Sequence, residues 1–148
     1  SSGAQLAMRM AYQEAPSAIK AVVNFYGPVD LADGWRHPPQ PDPLNVRSLL
    51  EAFIGGTPDK MPDRYRHASP ITYASGRVPP TLHIYGGRDH SVEPRFGRQI
   101  DRALKKSGNP SVLLELPWSE HAFDIVPNGL GGQVSLYYSE RFIAWAVR

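Results

Sequence analysis

The chain has 148 residues, which is enough for one domain. Its residues are 41% apolar and 20% charged, which is typical of a globular protein. The absence of cysteine excludes disulfides, cysteine-ligated zinc, iron–sulfur clusters and thiol nucleophiles. A net charge of +2 does not imply nucleic-acid binding, and no run approaches the ~20 apolar residues that a membrane-spanning helix needs.

The N-terminal segment predicts a helix followed by a strand. Residues 3–14 have helical periodicity, which ends at Pro16. The apolar residues that recur at helical spacing are Leu6, Ala7, Met10 and Ala11. Residues 21–26 form a short apolar run closed by a Gly-Pro turn, which is typical of a buried strand.

A long proline-punctuated segment follows this strand. Residues 30–43 contain four closely spaced prolines and are predicted to form an irregular loop. Residues 46–53 predict a short helix that stops at a Gly-Gly pair. The polar stretch that continues to Pro70 gives no clear signal for a further element.

The second half of the chain alternates strands and helices. Buried strands are predicted over residues 80–85 and 111–116, and helices over residues 94–106 and 133–147. The apolar face of the first of these helices comprises Phe96, Ile100, Ala103 and Leu104. In the last helix, Val134, Tyr138, Phe142 and Trp145 recur at helical spacing. The aromatic side chains of this helix are expected in the core rather than around a ligand; they are Tyr137, Tyr138, Phe142 and Trp145.

This alternation predicts an α/β fold with a mostly parallel sheet and helices packed on it. Three apolar strands would make a small sheet with one edge unpaired, whereas buried parallel strands normally have neighbours on both sides. We therefore expect the edge to be covered by residues outside this chain, either a missing N-terminal half or a second chain.

Polar residues lie at three places where open α/β sheets carry their sites, at the carboxyl ends of two strands and at the start of a helix. Asp89 follows the second strand, His121 follows the third, and Ser1 and Ser2 precede the first helix. An acid and a histidine in this arrangement can form a pair in which the acid orients the imidazole and the free ring nitrogen acts as a base. We expect Asp89 to hydrogen-bond His121.

Asp30 and Asp33, after the first strand, are the alternative acids. His83 alternates within a strand and is expected to be structural. The other histidines show no metal-ligand spacing, so no metal site is implied; they are His37, His67 and His90, of which His90 could flank the site but is expected to be a turn residue. The basic row of the helix over 94–106 is expected to be a solvated face rather than a nucleic-acid surface; it comprises Arg95, Arg98, Arg102 and Lys105.

The sequence resembles the C-terminal half of an α/β-hydrolase of the carboxylesterase and hormone-sensitive-lipase-like branch. Residues 1–7, Ser-Ser-Gly-Ala-Gln-Leu-Ala, match the second half of the Gly-x-Ser-x-Gly nucleophile elbow and its helix. Residues 86–89 resemble the acid-bearing turn, and residues 120–123 resemble the histidine loop. The order Ser, Asp, His is that of the family. The strands before the elbow and a second oxyanion donor are not contained in this chain.

The resemblance implies a serine hydrolase that cleaves small carboxylic esters, with a short acyl chain, through an acyl-enzyme intermediate and without a cofactor. Ser1 would be the nucleophile, His121 the base and Asp89 the acid, and the Ser2 N–H would bind the oxyanion. Residues 30–70 would form a cap-like insertion in a partial domain over residues 1–148. Two alternatives are a serine peptidase of the prolyl-oligopeptidase type, which shares this half, and an inactive or subunit fragment.

Overall fold

The computed structural model describes residues 1–14 and 17–148. The strands are β1 (Val22–Phe25), β2 (Thr81–Gly86) and β3 (Ser111–Leu116). The helices are α1 (Ser2–Arg9), α2 (Leu31–Arg36), α3 (Val46–Ile54), α4 (Pro62–Ala68), α5 (Arg95–Lys106) and α6 (Leu130–Ala146). A π-helical turn (Met10–Glu14) extends α1, and a 3₁₀ turn (Pro70–Tyr73) follows α4. Pro16, the predicted end of the first helix, lies outside the described residues.

The three strands form one parallel sheet in the order β1-β2-β3. Val22 pairs with Thr81, and Thr81 pairs with Ser111, so the three strands start in register and their carboxyl ends lie at one edge of the sheet. The two crossovers contain α2–α4 and α5, as parallel pairing requires. The predicted α/β class with a parallel sheet is confirmed.

Helices cover both faces of the sheet because residues of β2 alternate between two cores. Tyr85 packs with α1 and α5 on one face; that core includes Met8, Phe96, Ile100 and Leu104. Leu82 and Ile84 face the other side, where they pack with Phe142 of α6. A third cluster, separate from the sheet, joins α2, α3 and α4; it consists of Leu31, Leu50, Ile54, Tyr65 and Ala68.

Residues 30–70 are more helical than the sequence indicated. The predicted irregular loop begins with α2, because Asp30 accepts a hydrogen bond from Asp33 N at 3.0 Å and caps the helix. The polar stretch contains α4, whose Pro62 occupies the first turn, where the missing N–H costs nothing. The prediction was wrong here because the prolines of residues 38–43 follow α2 and Pro62 starts α4.

The buried faces of α1 and α6 also differ from the expectation. In α1 the buried side chains are Gln5 and Met8, whereas Leu6 and Met10 are exposed. In α6, Phe142 is buried, but half of the surface of Tyr137, Tyr138 and Trp145 is exposed. Besides Phe142, the buried stripe of α6 consists of small residues: Gly131, Gly132, Ser135 and Ser139. Its two glycines allow close approach of the loop over residues 119–127. Tyr137, Tyr138 and Trp145 therefore lie outside the buried stripe.

Among the described residues, β1 pairs on one side only, with β2. Val23 and Phe25 are only partly buried, whereas α1 covers Val22. No helix in the described ranges combines the length and apolarity needed to cross a bilayer.

We expect the 148-residue chain, studied alone, to have a free energy of unfolding below ~5 kcal/mol or to self-associate through the free edge of β1. Unpaired N–H and C=O groups on an apolar strand favour pairing with another chain. Urea unfolding and sedimentation at two concentrations measure both effects. A monomer that unfolds cooperatively with ~5 kcal/mol or more would contradict this prediction.

Candidate active site

The loops after β2 and β3 bring Asp89 and His121 into contact. His121 Nδ1 lies 2.7 Å from Asp89 Oδ2. The Asp89 side chain is fully buried, and its Oδ1 accepts hydrogen bonds from the backbone N–H groups of Ser91 and Val92 at 2.8 Å each. In the neutral imidazole, a proton on Nδ1 that is donated to the Asp89 carboxylate leaves Nε2 as an acceptor. The His121 side chain keeps 25% of its surface exposed, which makes the ring accessible to a reacting group.

Two glycines allow these loops to approach so closely. A Cβ on Gly86 would lie 2.4 Å from the carbonyl oxygen of Ser119, and one on Gly87 would lie 2.8 Å from the backbone of Pro117. The Arg88 N–H donates to the Ser119 carbonyl at 3.0 Å and ties the two loops together. The Gly86-Gly87 pair therefore determines the separation between the turn that carries Asp89 and the loop that carries His121.

His121 also contacts Tyr26, which directly follows β1. The two ring centroids are 4.4 Å apart, and the Tyr26 hydroxyl donates to Asp124 Oδ1 at 2.5 Å. Tyr26 and Ala122 both have left-handed backbone conformations, with φ of 41° and 59°. Such a conformation costs a non-glycine residue roughly 1–2 kcal/mol, and strain of this kind clusters at functional sites.

Ser1 and Ser2 lie at the start of α1 and line a cavity of about 310 Å³. Ser91 and Val92 line the same cavity, so the start of α1 and the Asp89 turn face a common space. Within the described residues no hydrogen bond joins Ser1 to His121. The N–H groups of the first helical turn, including that of Ser2, have no acceptor within the helix.

The walls of the cavity are mainly apolar and come from α2, α3 and the start of α5. The apolar side chains that line it include Leu31, Leu44, Leu49, Leu50, Phe53 and Phe96. Arg95 stands at its rim with its charge compensated, since it donates to Asp33, to Glu93 at 2.7 Å and to the His37 carbonyl at 2.9 Å. The cavity is thus suited to an uncharged, apolar group.

The alternative acids contact other groups. Asp30 caps α2. Burial opposes ionisation of Asp33, but hydrogen bonds from Arg95 and His37 outweigh it and lower the pKa of this carboxyl group. Neither aspartate contacts His121, so the structure pairs His121 with Asp89.

None of the remaining histidines hydrogen-bonds to Asp89 or His121 in the described residues, although His37 and Arg95, from the basic row, line the cavity beside Ser1. His37 contacts Asp33, His67 contacts Tyr73, and His90 lies on the surface 3.6 Å from Glu120. Arg98, Arg102 and Lys105 are exposed on α5, as expected for a solvated face. In the described parts of the chain, no group of three or more potential metal ligands was found.

A buried polar network supports the turn that carries Tyr26. Asn24 donates to His83 Nδ1 at 2.9 Å and to the Tyr85 hydroxyl at 3.1 Å, and its own oxygen accepts from Gly27 N. The Tyr85 hydroxyl donates to the Gly27 carbonyl at 2.5 Å. Both backbone polar groups of Gly27 are therefore satisfied by side chains from the sheet. Burial lowers the pKa of His83 to about 3, so this histidine is neutral at pH 7.

His83 should make folding stability depend on pH. The unfolded histidine protonates near its ordinary pKa of 6.5, whereas the folded one resists protonation down to about pH 3. The unfolded state binds more protons between these values, so the free energy of unfolding should fall by up to about 1.4 kcal/mol per pH unit below 6.5. Urea unfolding at pH 7 and pH 5 should show a weaker pH dependence for His83→Gln, but not for the exposed control His90→Gln. Equal pH dependence in both variants would contradict the prediction.

The sequence analysis did not identify Tyr26, Asp124 or the network of Asn24 and Tyr85. A signal was present for two of them. Asn24 is a polar residue inside an apolar strand, and Tyr26 stands at the carboxyl end of that strand, where sites are expected. The contact between Tyr26 and Asp124 joins residues 98 positions apart and has no local sequence signature.

The sequence of this chain is similar to those of known proteins. The BD-FAE family model matches residues 1–104. The chain is 30% identical over 138 residues to the probable carboxylic ester hydrolase LipM of Mycobacterium tuberculosis, which corresponds to 90% of this chain and 30% of LipM. It spans less than a third of the length of the curated relatives it matches.

Solved structures share the fold. The esterase Est2 of Thermogutta terrifontis superposes with a TM-score of 0.71 at 21% identity, over 97% of this chain and 51% of Est2. The acylaminoacyl peptidase of Pyrococcus horikoshii gives 0.73 at 17% identity, over 93% of this chain and 21% of the peptidase. Esterases and peptidases thus share this architecture, and fold alone does not choose between the two reactions.

Proposed function

Because this chain belongs to the BD-FAE family of α/β-hydrolases, we propose that the complete natural protein hydrolyses carboxylic esters with Ser1, Asp89 and His121 as its triad. The observation that carries the proposal is the hydrogen bond of 2.7 Å between His121 Nδ1 and the buried Asp89 carboxylate. This contact holds the tautomer whose Nε2 can accept a proton from a nucleophile.

In the proposed reaction the Ser1 hydroxyl oxygen attacks the ester carbonyl while His121 Nε2 takes the hydroxyl proton. The Ser2 N–H, at the start of α1, stabilises the negative charge that develops on the carbonyl oxygen. His121 then gives the proton to the departing alcohol, which leaves an acyl group on Ser1. Water, deprotonated by His121, hydrolyses the acyl-enzyme and restores the serine.

The cavity beside Ser1 would hold the apolar part of the substrate. Its volume of about 310 Å³ is near the lower limit of small-molecule pockets, roughly 300–1,000 Å³, which favours a short acyl chain. We assign residues 30–70 to a cap, because α2 and α3 line the cavity and α4 packs behind them. A substrate carboxylate would find Arg95 already engaged by Asp33 and Glu93.

The test is labelling of the complete natural protein with a fluorophosphonate, combined with turnover of p-nitrophenyl butyrate. We expect one labelled serine, loss of both label and turnover in Ser1→Ala, and retention of the label in Ser2→Ala, which keeps its backbone N–H. A label that survives Ser1→Ala would remove Ser1 as the nucleophile.

The same assay separates the alternative reactions. Two substrates with the same acyl group compare ester with amide cleavage: p-nitrophenyl butyrate and the butyryl amide of p-nitroaniline. Faster cleavage of the anilide would favour a peptidase, and absence of both label and turnover would favour an inactive or subunit chain.

A further inference from the structure

Tyr26 occupies a position that the proposed triad does not explain. The residue is buried, and its ring lies 4.4 Å from the His121 ring between centroids and is tilted by 55° to it. Phe123 packs edge-on against Tyr26 with centroids 5.3 Å apart, and Phe25 does so at 6.2 Å. The Tyr26 ring is therefore fixed by neighbours on other sides and presents a rigid surface to the imidazole.

The hydroxyl of Tyr26 is anchored as well. It donates to Asp124 Oδ1 at 2.5 Å, and Asp124 lies three residues after His121 in the same loop. Burial, together with the bond to Asp124 and the nearby carboxylates, raises the pKa of Tyr26, which keeps the phenol protonated as a donor. The β1 turn and the histidine loop are thus joined twice, through the ring contact with His121 and the hydrogen bond to Asp124.

We infer that Tyr26, anchored by Asp124, is a positioning residue that holds the His121 ring in line with Asp89. Asp89 fixes only Nδ1, and a single hydrogen bond allows the imidazole to rotate about that contact. The Tyr26 ring removes this freedom on one side. An aromatic ring within ~6 Å also stabilises a cation, so the same contact favours the imidazolium that forms when His121 takes a proton. The inference rests on the proposed function of His121 as the base.

The test compares Tyr26→Phe, Tyr26→Leu and Asp124→Asn with the control Tyr73→Phe in the complete natural protein. Tyr73 is a matched control because its hydroxyl contacts a histidine, His67, on an exposed surface. We expect Tyr26→Phe, which keeps the ring but loses the anchor, to lower kcat about 3- to 10-fold, and Tyr26→Leu to lower it roughly 10- to 100-fold. KM should stay within about twofold, and Tyr73→Phe should have no effect.

A second readout does not depend on turnover. The Nδ1 proton that His121 shares with Asp89 should give a low-field NMR resonance, identified by its absence in His121→Gln. We expect this resonance to persist in Tyr73→Phe, to weaken in Tyr26→Phe and Asp124→Asn, and to be lost by exchange with water in Tyr26→Leu. A protein without ester turnover would overturn the proposed function, while the resonance would still test the positioning.

The inference is overturned if Tyr26→Phe and Asp124→Asn keep both kcat and the resonance of the unsubstituted protein. Tyr26→Phe retains the packed ring, so it tests the anchor even where Tyr26→Leu fails to fold. Equal loss of kcat in all three variants and in Tyr73→Phe would show a general structural effect and would also overturn it.

Discussion

Replacing His121 with alanine should lower ester turnover by about 10³-fold or more, because the side chain removed is the proposed base in both halves of the reaction. Folding stability should change little, since His121 is partly exposed and its main contacts are with Asp89 and Tyr26. Steady-state kinetics with p-nitrophenyl butyrate and urea unfolding of the same variant measure the two effects separately.

The matched control for this variant is His90→Ala. His90 lies beside Asp89 in the sequence, but its ring is on the surface, 3.6 Å from Glu120. We expect its turnover to stay within about threefold of the unsubstituted protein. If His121→Ala retains more than about a tenth of the turnover, the lost transition-state stabilisation is under ~1.4 kcal/mol, and His121 is not the base.

The contact between Asp89 and His121 could be predicted because it follows from strand order. Each residue comes directly after an apolar strand, and the two strands are adjacent and parallel, so their carboxyl ends meet at one edge of the sheet. The α/β class could be predicted for the same reason, since the alternation of strands and helices allows few other arrangements.

The side-chain surroundings of this pair could not be predicted in the same way. Tyr26, which contacts His121, has a left-handed backbone, and a tyrosine does not predict such a conformation, which favours glycine and, less strongly, Asn, Asp and His. The exposed aromatic residues of α6 show a related limit. Tyr138 continues an apolar helical pattern but is half exposed, because the buried face of α6 consists of Phe142, which packs on the sheet, and of glycine and serine residues, of which Gly131 and Gly132 lie close to the loop over residues 119–127.

The cap region illustrates a third limit. Proline predicts the end of a helix, but it is equally suited to the first turn of one. Residues 30–70 contain both situations, with prolines after α2 and a proline at the start of α4. The local sequence was therefore ambiguous, and only the packing of Tyr65 against Leu31 and Leu50 shows that these segments form one cluster.

Replacing Asp89 with asparagine should lower turnover by roughly 10³- to 10⁴-fold with little change in the fold. The amide oxygen can keep the two hydrogen bonds that Oδ1 accepts from the backbone N–H groups of Ser91 and Val92. The amide NH₂ then faces His121 Nδ1, and because it donates, Nδ1 must become the acceptor. The ring proton moves to Nε2, which can no longer accept a proton from Ser1.

The control for Asp89→Asn is Asp33→Asn, the corresponding change at an alternative acid. Asp33 contacts Arg95 and His37 rather than His121, so we expect this variant to lose less than about tenfold in turnover. Kinetics of the two variants, with their urea unfolding measured alongside, decide between the acids. A larger loss of turnover in Asp33→Asn than in Asp89→Asn would assign the acid to Asp33, because only removal of the true partner of His121 leaves the ring in the wrong tautomer.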